Sequence, residues 1–263
     1  MDSVNKTLYI PLYGKAYVSK RGLFLKDDTA ERIWEREGFS LKRSSRSKWL
    51  AFYMGIRSAV FDGWLREKIK ETRDAVILHI GCGMDSRIIR VGASEGTWYD
   101  IDFPEVIDER NRYFKNADNY KMLSADIRDA SFLDEIPEKD CAIVVMEGIS
   151  MYLSPEEIKS LTCALSTHFE SIELLMDCYS VFAAKASRIK NPVKSVGVSR
   201  VYGIDDPREA ESETLKFINE LDMTPAAFIE QLKGFEKKVF KRLYAGGLSK
   251  KLYKLYEYRK IQT

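Results

Sequence analysis

Histidine is scarce in this chain: 263 residues carry only His79 and His168. His79 falls inside an apolar, strand-like run and His168 follows a helical one. The first reads as structural and the second as exposed, so neither is placed for base chemistry, and no metal is expected. Cysteine is nearly as rare. Cys82, Cys141, Cys163 and Cys178 include no Cys-x-x-Cys pair, which argues against a disulfide framework and for reduced thiols in a cytoplasmic protein. Long apolar runs are missing as well. A run such as 141–146, which no other exceeds, is far short of the roughly 20 residues that cross a bilayer, and the N-terminus has no apolar signal-peptide core. Without a Pro/Gly/Ser linker, an internal repeat or a low-complexity tract, one cooperative domain over 1–263 is the default.

What is present is ordinary globular composition, 45% hydrophobic and 31% charged. A chain this long removes roughly 70–75% of its unfolded surface from water and needs no covalent staple. Net charge is +2, from 42 basic and 40 acidic residues, but it is unevenly spread. From Gln231 onward ten Lys/Arg stand against Glu236 and Glu257, giving +8, with Phe235, Phe240, Tyr244, Tyr253, Tyr256 and Tyr258 interleaved. Basic side chains among aromatics are one way to bind nucleic acid. Period-two alternation over 252–261 instead explains the aromatics as sheet-facing residues of a strand pair with one solvated face, so nucleic acid is not the expected partner.

Apolar runs at 75–80, 97–101, 120–124, 141–146 and 172–178 read as strands at the spacing of βαβ crossovers. With a terminal hairpin they predict an α/β fold: a Rossmann-like, mainly parallel seven-stranded sheet with an N-terminal helical extension, a lid insertion and a C-terminal antiparallel hairpin. The expected divisions are a helical cap (1–72), the α/β core (73–182), the lid (183–232) and the closing hairpin (233–263). In the cap, Asp28 with Glu31 resembles a capping box for a helix stopping near Gly38, and a second helix is expected over 46–70 with Gly55 and Gly63 inside it. In the lid, Asn191-Pro192, Gly197, Gly203 and Asp206-Pro207 precede a predicted helical run over 208–221. The hairpin is expected to join 235–244 to 252–261 across Gly246-Gly247.

The most informative stretch is 75–87, a buried strand running straight into Gly81-x-Gly83. A side chain at either glycine would obstruct a ligand approaching the backbone, and a following helix aims its first N–H groups at the same point. A dinucleotide loop would carry glycine or alanine at position 86. Ser86 stands there, which favours a nucleoside ligand without a pyrophosphate. Asp102 ends the next strand, 19 residues beyond Gly83, where a carboxylate can accept both hydroxyls of a ribose. The third strand ends at Asp126, able to accept from an adenine amino group, and the fourth at Glu147-Gly148. Four strand ends in succession make an adenosine-type site.

These motifs together resemble the class I S-adenosylmethionine methyltransferases, specifically the leucine carboxyl methyltransferase and polyketide-synthesis O-methyltransferase family. Pro11-Leu12-Tyr13-Gly14-Lys15-Ala16 is similar to the family's opening, and Gly55-Ile56-Arg57-Ser58 with Phe61-Asp62 to its arginine helix. Gly81-Cys82-Gly83-Met84-Asp85-Ser86-Arg87 is similar to the first motif, and Asp100-Ile101-Asp102-Phe103-Pro104-Glu105-Val106-Ile107 to the second. Glu147-Gly148-Ile149-Ser150-Met151-Tyr152-Leu153 is similar to the fourth, and Tyr202-Gly203-Ile204-Asp205-Asp206-Pro207 to the lid entrance of the small-molecule branch.

The resemblance implies S-adenosyl-L-methionine as cofactor, with Gly81 and Gly83 against its methionine part, Asp102 on the ribose, Asp126 on the adenine and Glu147 on the methionyl amino group. It implies that Arg57 reaches the cofactor carboxylate and the substrate, with Ser58 where many members carry threonine, and it places Tyr152 on the acceptor side. The expected reaction is O-methylation of a small-molecule carboxylate. A sulfonium methyl is already activated and a carboxylate already ionised at pH 7, so alignment and desolvation suffice without a general base. An arginine fork suits that geometry. The alternatives are methylation of a protein C-terminal carboxylate and a non-catalytic module that binds the cofactor or RNA.

Overall fold

The computed structural model describes residues 5–39, 41, 43–92, 95–137, 140–187 and 201–261. Three helices come first: α1 (Asn5–Lys20), α2 (Asp28–Glu37) and α3 (Lys48–Glu71). The cap of α2 is Asp27, not Asp28: its side chain accepts from Ala30 N at 2.8 Å, and Gly38 ends the helix at φ +58°. Tertiary partners select Asp27, because its carboxylate also meets Ser86 and Arg90 in the interior. Helix α3 runs unbroken through Gly55. A Cβ there would come within 2.7 Å of Val18, so the glycine lets α1 and α3 approach closely.

The strands are β1 (Val76–Ile80), β2 (Trp98–Asp102), β3 (Tyr120–Ser124), β4 (Cys141–Met146), β5 (Ser171–Tyr179), β6 (Leu215–Leu221) and β7 (Tyr253–Lys260). They form one seven-stranded sheet in the order β3-β2-β1-β4-β5-β7-β6. The first five are parallel, whereas β7 runs antiparallel to both β5 and β6. Every residue of β1 is buried, as a central parallel strand covered on both faces requires. Between strands lie α4 (Arg87–Val91), α5 (Pro104–Arg110), α6 (Pro155–His168), α7 (Val181–Ser187), α8 (Ala226–Ile229), α9 (Gly234–Leu243) and α10 (Gly247–Leu252). One core packs Leu12, Phe52, Ile56 and Phe240 against Ile77 and Val145, and the other packs Ile158, Leu161 and Leu165 against Leu78 and Val144.

Three expectations are corrected. Residues 208–221 are not a helix: Pro207–Ala210 is a 3-10 turn, and β6 follows. Hydrogen bonding to β7 outweighs the weak helical preference of this glutamate-rich stretch. Residues 235–244 are not a strand either. They form α9, whose Phe240 and Tyr244 stack at 5.3 Å at i,i+4 spacing while Phe235 faces solvent. The antiparallel pair is therefore β6 with β7, and α8 to α10 lie between its strands. Finally, β7 is not half solvated. It lies between two strands and buries Tyr253 and Leu255 in one core and Tyr256 and Tyr258 in the other. Much of the expected lid, 188–200, lies outside the described residues. No helix among the described residues is long and apolar enough to cross a membrane.

Candidate active site

The loop after β1 is shaped by two glycines in the left-handed region, Gly81 at φ +71° and Gly83 at φ +51°. A Cβ on Gly81 would lie 2.2 Å from Ile149, so backbone conformation and packing both demand glycine. Gly83 N donates to Asp102 Oδ2 at 2.8 Å, and Phe103 N donates to Asp102 Oδ1 at 2.8 Å. Burial pushes the Asp102 carboxyl up to about 6, against the opposing pull of these two N–H donors and Arg110. Ser86, in place of a third glycine, donates to Asp27 Oδ1 at 2.6 Å. The helix behind it, α4, has only five residues.

Beyond this loop the interior is charged. Glu147 accepts from Arg57 Nε at 2.8 Å and Ser58 Oγ at 2.9 Å through one oxygen, and from Arg87 Nη2 through the other. Burial alone would raise the Glu147 pKa, but Arg87, Arg57 and Lys15 overcome it and hold the carboxyl at about 2. Arg87 also pairs with Asp62 at 2.9 Å and Asp85 at 3.2 Å, and Lys15 lies 3.3 Å from Asp85. Arg90 adds Asp62, Asp27 and Asp85 at 2.6–2.7 Å. Buried charges survive only when paired in this way.

These groups surround a cavity of about 290 Å³, near the lower end of small-ligand pockets at roughly 300–1,000 Å³. Gly81, Gly83, Asp102, Glu147, Arg57 and Tyr152 all line it. Leu8, Pro11 and Met54 form its apolar side from α1 and α3. Tyr152 is 36% exposed, and desolvation pushes its phenol up to about 12. Asp126 is not among the lining residues: it is half-exposed and ion-paired with Arg128 at 2.5 Å. His79 is buried between Asp100, 2.9 Å from its Nδ1, and Arg87, 3.3 Å from its Nε2. Burial lowers its pKa, and this neutral, doubly engaged ring is structural. His168 is half-buried rather than exposed, its Nε2 bonded to Ile136 O at 2.9 Å.

A strand-end acceptor series, a glycine loop at the carboxyl edge of β1 and a 3-2-1-4-5-7-6 sheet coincide with one family model, that of leucine carboxyl methyltransferase, matched over residues 7–166. The chain belongs to the leucine carboxyl methyltransferase family. It is an S-adenosylmethionine-dependent methyltransferase. A relative is the tetracenomycin polyketide synthesis O-methyltransferase of Streptomyces glaucescens, 26% identical over 243 residues, covering 91% of this chain and 90% of that protein. An S-adenosyl-L-methionine-dependent methyltransferase of Gibberella zeae is 26% identical over 235 residues, covering 81% and 79%. The fold matches a crystal structure from Thermobifida fusca at TM-score 0.61 and 14% identity, covering 95% of this chain and 94% of that one. It also matches an N-methyltransferase of Bradyrhizobium japonicum solved with S-adenosyl-L-homocysteine, at TM-score 0.52 and 13% identity, covering 90% and 100%.

Several groups around the methyltransferase cavity were not singled out from sequence. Lys15 and Arg87 stand inside motifs quoted from the sequence, with no role assigned to either there. Asp177, near the end of β5, is fully buried and accepts from Gly148 N at 2.7 Å. The series of strand-end acids at 102, 126 and 147 was the signal that could have found it. Tyr253 had no local signal, since only the antiparallel insertion of β7 beside β5 brings it to Arg57.

Proposed function

We propose that this methyltransferase esterifies a carboxylate on a small molecule. The observation that carries the reading is the absence, among the described cavity-lining residues, of a side chain ready to accept a proton from a hydroxyl. His79 is engaged on both ring nitrogens, and the phenols of Tyr152 and Tyr179 are both pushed up by desolvation; of the lining carboxylates, Asp85 and Glu147 are ion-paired, and both oxygens of Asp102 accept from Gly83 N and Phe103 N. An acceptor already ionised at neutral pH needs no such base. Arg57 and Lys15 offer the cavity two cations, and an arginine can hold a planar carboxylate without taking its proton.

The residues suit the cofactor. A Cβ on Gly83 would fill the space toward Leu8, 3.4 Å away, so the glycine leaves a cradle at the loop. S-adenosylmethionine supplies a sulfonium methyl already activated for transfer. In this reading Asp102 accepts the ribose hydroxyls, and Gly81 and Gly83 flank the methionine part. Glu147 keeps, of its roughly four lone-pair positions, one beyond its three bonds for an ammonium group. Arg57 takes a carboxylate, and Tyr152 borders the acceptor. Asp126 serves the adenine only by sharing itself with Arg128 at the rim.

The test uses labelled cofactor with a metabolite extract. Log rate should stay nearly flat between about pH 7 and 8.5, and the product should release methanol in mild alkali. A slope near one with an alkali-stable label would identify a hydroxyl acceptor instead. A label recovered at a protein C-terminus would assign the acceptor to a chain end.

A further inference from the structure

Arg57 is held from three sides before any ligand enters. Its Nε is bonded to Glu147 at 2.8 Å. Its Nη1 donates to Tyr253 Oη at 2.8 Å and lies 3.2 Å from Asp177 Oδ2. The Tyr253 hydroxyl donates in turn to that same Asp177 oxygen. The other Asp177 oxygen accepts from Gly148 N at 2.7 Å, and the Asp177 carbonyl accepts from Ser150 Oγ. Arg57, Asp177 and Tyr253 are all buried. Gly148 leaves the remaining side open, for a Cβ there would stand 3.1 Å from Arg57 Nη2.

The register explains why two strands can do this. Tyr179 of β5 pairs with Tyr253 of β7, and Asp177 pairs with Leu255, so Asp177, Tyr179 and Tyr253 share one face of the sheet. The Tyr253 ring is fixed by Tyr179 at 4.9 Å and Tyr53 at 6.1 Å. Arg57 and Tyr253 are 196 positions apart. Asp177 and Tyr253 both fall beyond the 7–166 region that the family model matches. A guanidinium is a rigid plane, so fixing its Nε and Nη1 fixes where Nη2 points. Among the described residues Nη2 makes no hydrogen bond, and Arg57 lines the cavity.

We infer that Tyr253 and Asp177 are positioning residues: a buried brace from the last strand and from β5 that turns the free edge of Arg57 toward a ligand carboxylate. The inference rests on the reading of Arg57 as a carboxylate-binding arginine. It assigns the C-terminal strand a part in ligand recognition as well as in closing the sheet.

The test needs no acceptor. S-adenosylhomocysteine carries the amino-acid carboxylate, whereas its decarboxylated analogue, 5′-(3-aminopropylthio)-5′-deoxyadenosine, keeps the nucleoside, sulfur and ammonium and lacks only that group. Calorimetry on the full chain gives the dissociation constant of the analogue divided by that of S-adenosylhomocysteine, a ratio that isolates the carboxylate contact and falls when that contact is lost. Tyr253→Phe keeps the ring and removes one oxygen. It should weaken S-adenosylhomocysteine by about 5- to 20-fold and the decarboxylated analogue by less than about twofold, the size of one impaired charge-assisted bond. Asp177→Asn should act in the same direction, and it decides the matter if Tyr253→Phe does not fold. In an Arg57→Lys background, Tyr253→Phe should add little, as expected of residues acting through one another. A ratio unchanged by Tyr253→Phe and Asp177→Asn but lowered by Arg57→Lys would overturn the brace and leave the role of Arg57 standing. Equal weakening of both ligands by Tyr253→Phe would also overturn it, since that is what a packing role produces. A ratio unchanged by Arg57→Lys itself would overturn the reading of Arg57, and the brace with it.

Discussion

Asp102 is held near neutrality by its surroundings, and its ionisation should be visible in binding. A carboxylate can accept from two ribose hydroxyls, and its protonated form cannot accept as well. With the free-protein pKa at about 6, cofactor affinity should rise through that value and weaken by about tenfold per pH unit below it. Calorimetry between pH 5 and 8 checks this, and a flat profile would remove Asp102 from the ribose contact. Asp102→Ala should cost about 2–4 kcal/mol of cofactor binding at pH 7.5, because two bonds to a charged acceptor go. The same raised pKa opposes folding at higher pH: Asp102's contribution to stability is full below about pH 4 and is lost as pH rises through about 6. At Arg57, substitution by Lys should preserve the fold yet lower turnover sharply, since an ammonium cannot reproduce a planar clamp. Activity within a factor of two of the parent would reduce Arg57 to an ion-pair partner.

Among the elements, the contact between α1 and α3 carries the apolar side of the cavity. Leu8, Pro11 and Lys15 reach the cavity from one helix, and Met54 and Arg57 from the other. Gly55 permits that approach, and Val18 opposite it is fully buried with little room to move. Gly55→Ala should therefore destabilise the protein by about 1–3 kcal/mol despite alanine's better helix propensity, read as a lower urea midpoint. Midpoints equal to the parent's would mean that the helices separate without cost. The glycine loop is less tolerant still, because Gly81→Ala meets Ile149 and a positive φ together.

Across the whole molecule, buried charge ties the cap, the central strands and the last strand together. Asp27 of the cap meets Arg90, which meets Asp62 of α3 and Asp85 of the loop. Arg87 leads on to Glu147, Arg57 and, through it, Tyr253 of β7. Such a chain of contacts should make unfolding cooperative, with tryptophan fluorescence and far-ultraviolet circular dichroism reporting one urea transition. Two separated transitions would show the cap folding on its own. The acid limb follows from the same network. Glu147 and Asp100 sit at about 2, below their unfolded values near 4, so their stabilisation is full above about pH 4.5 and disappears as pH falls toward 2.

Local physics already determined the parallel half of this protein. The run at 141–146 coincides with β4, because a central strand buried on both faces must be continuously apolar, and 120–124 coincides with the edge strand β3, whose turns bound it. Gly81, Gly83, Asp102 and Glu147 were legible for a related reason, since residues at strand ends take their place from the strand beside them in sequence. In the antiparallel half only β7 was legible, from the alternation over 252–261. Residues 215–221 and 235–244 carry patterns compatible with either helix or strand, and the choice fell to partners far away: β7 for the first, and the Phe52 ring against Phe240 for the second. The charge network was hidden likewise. Arg87, Asp177 and Tyr253 look unremarkable in sequence because a buried charge is defined by the partner that neutralises it, and chain folding alone brings Tyr253 within 2.8 Å of Arg57.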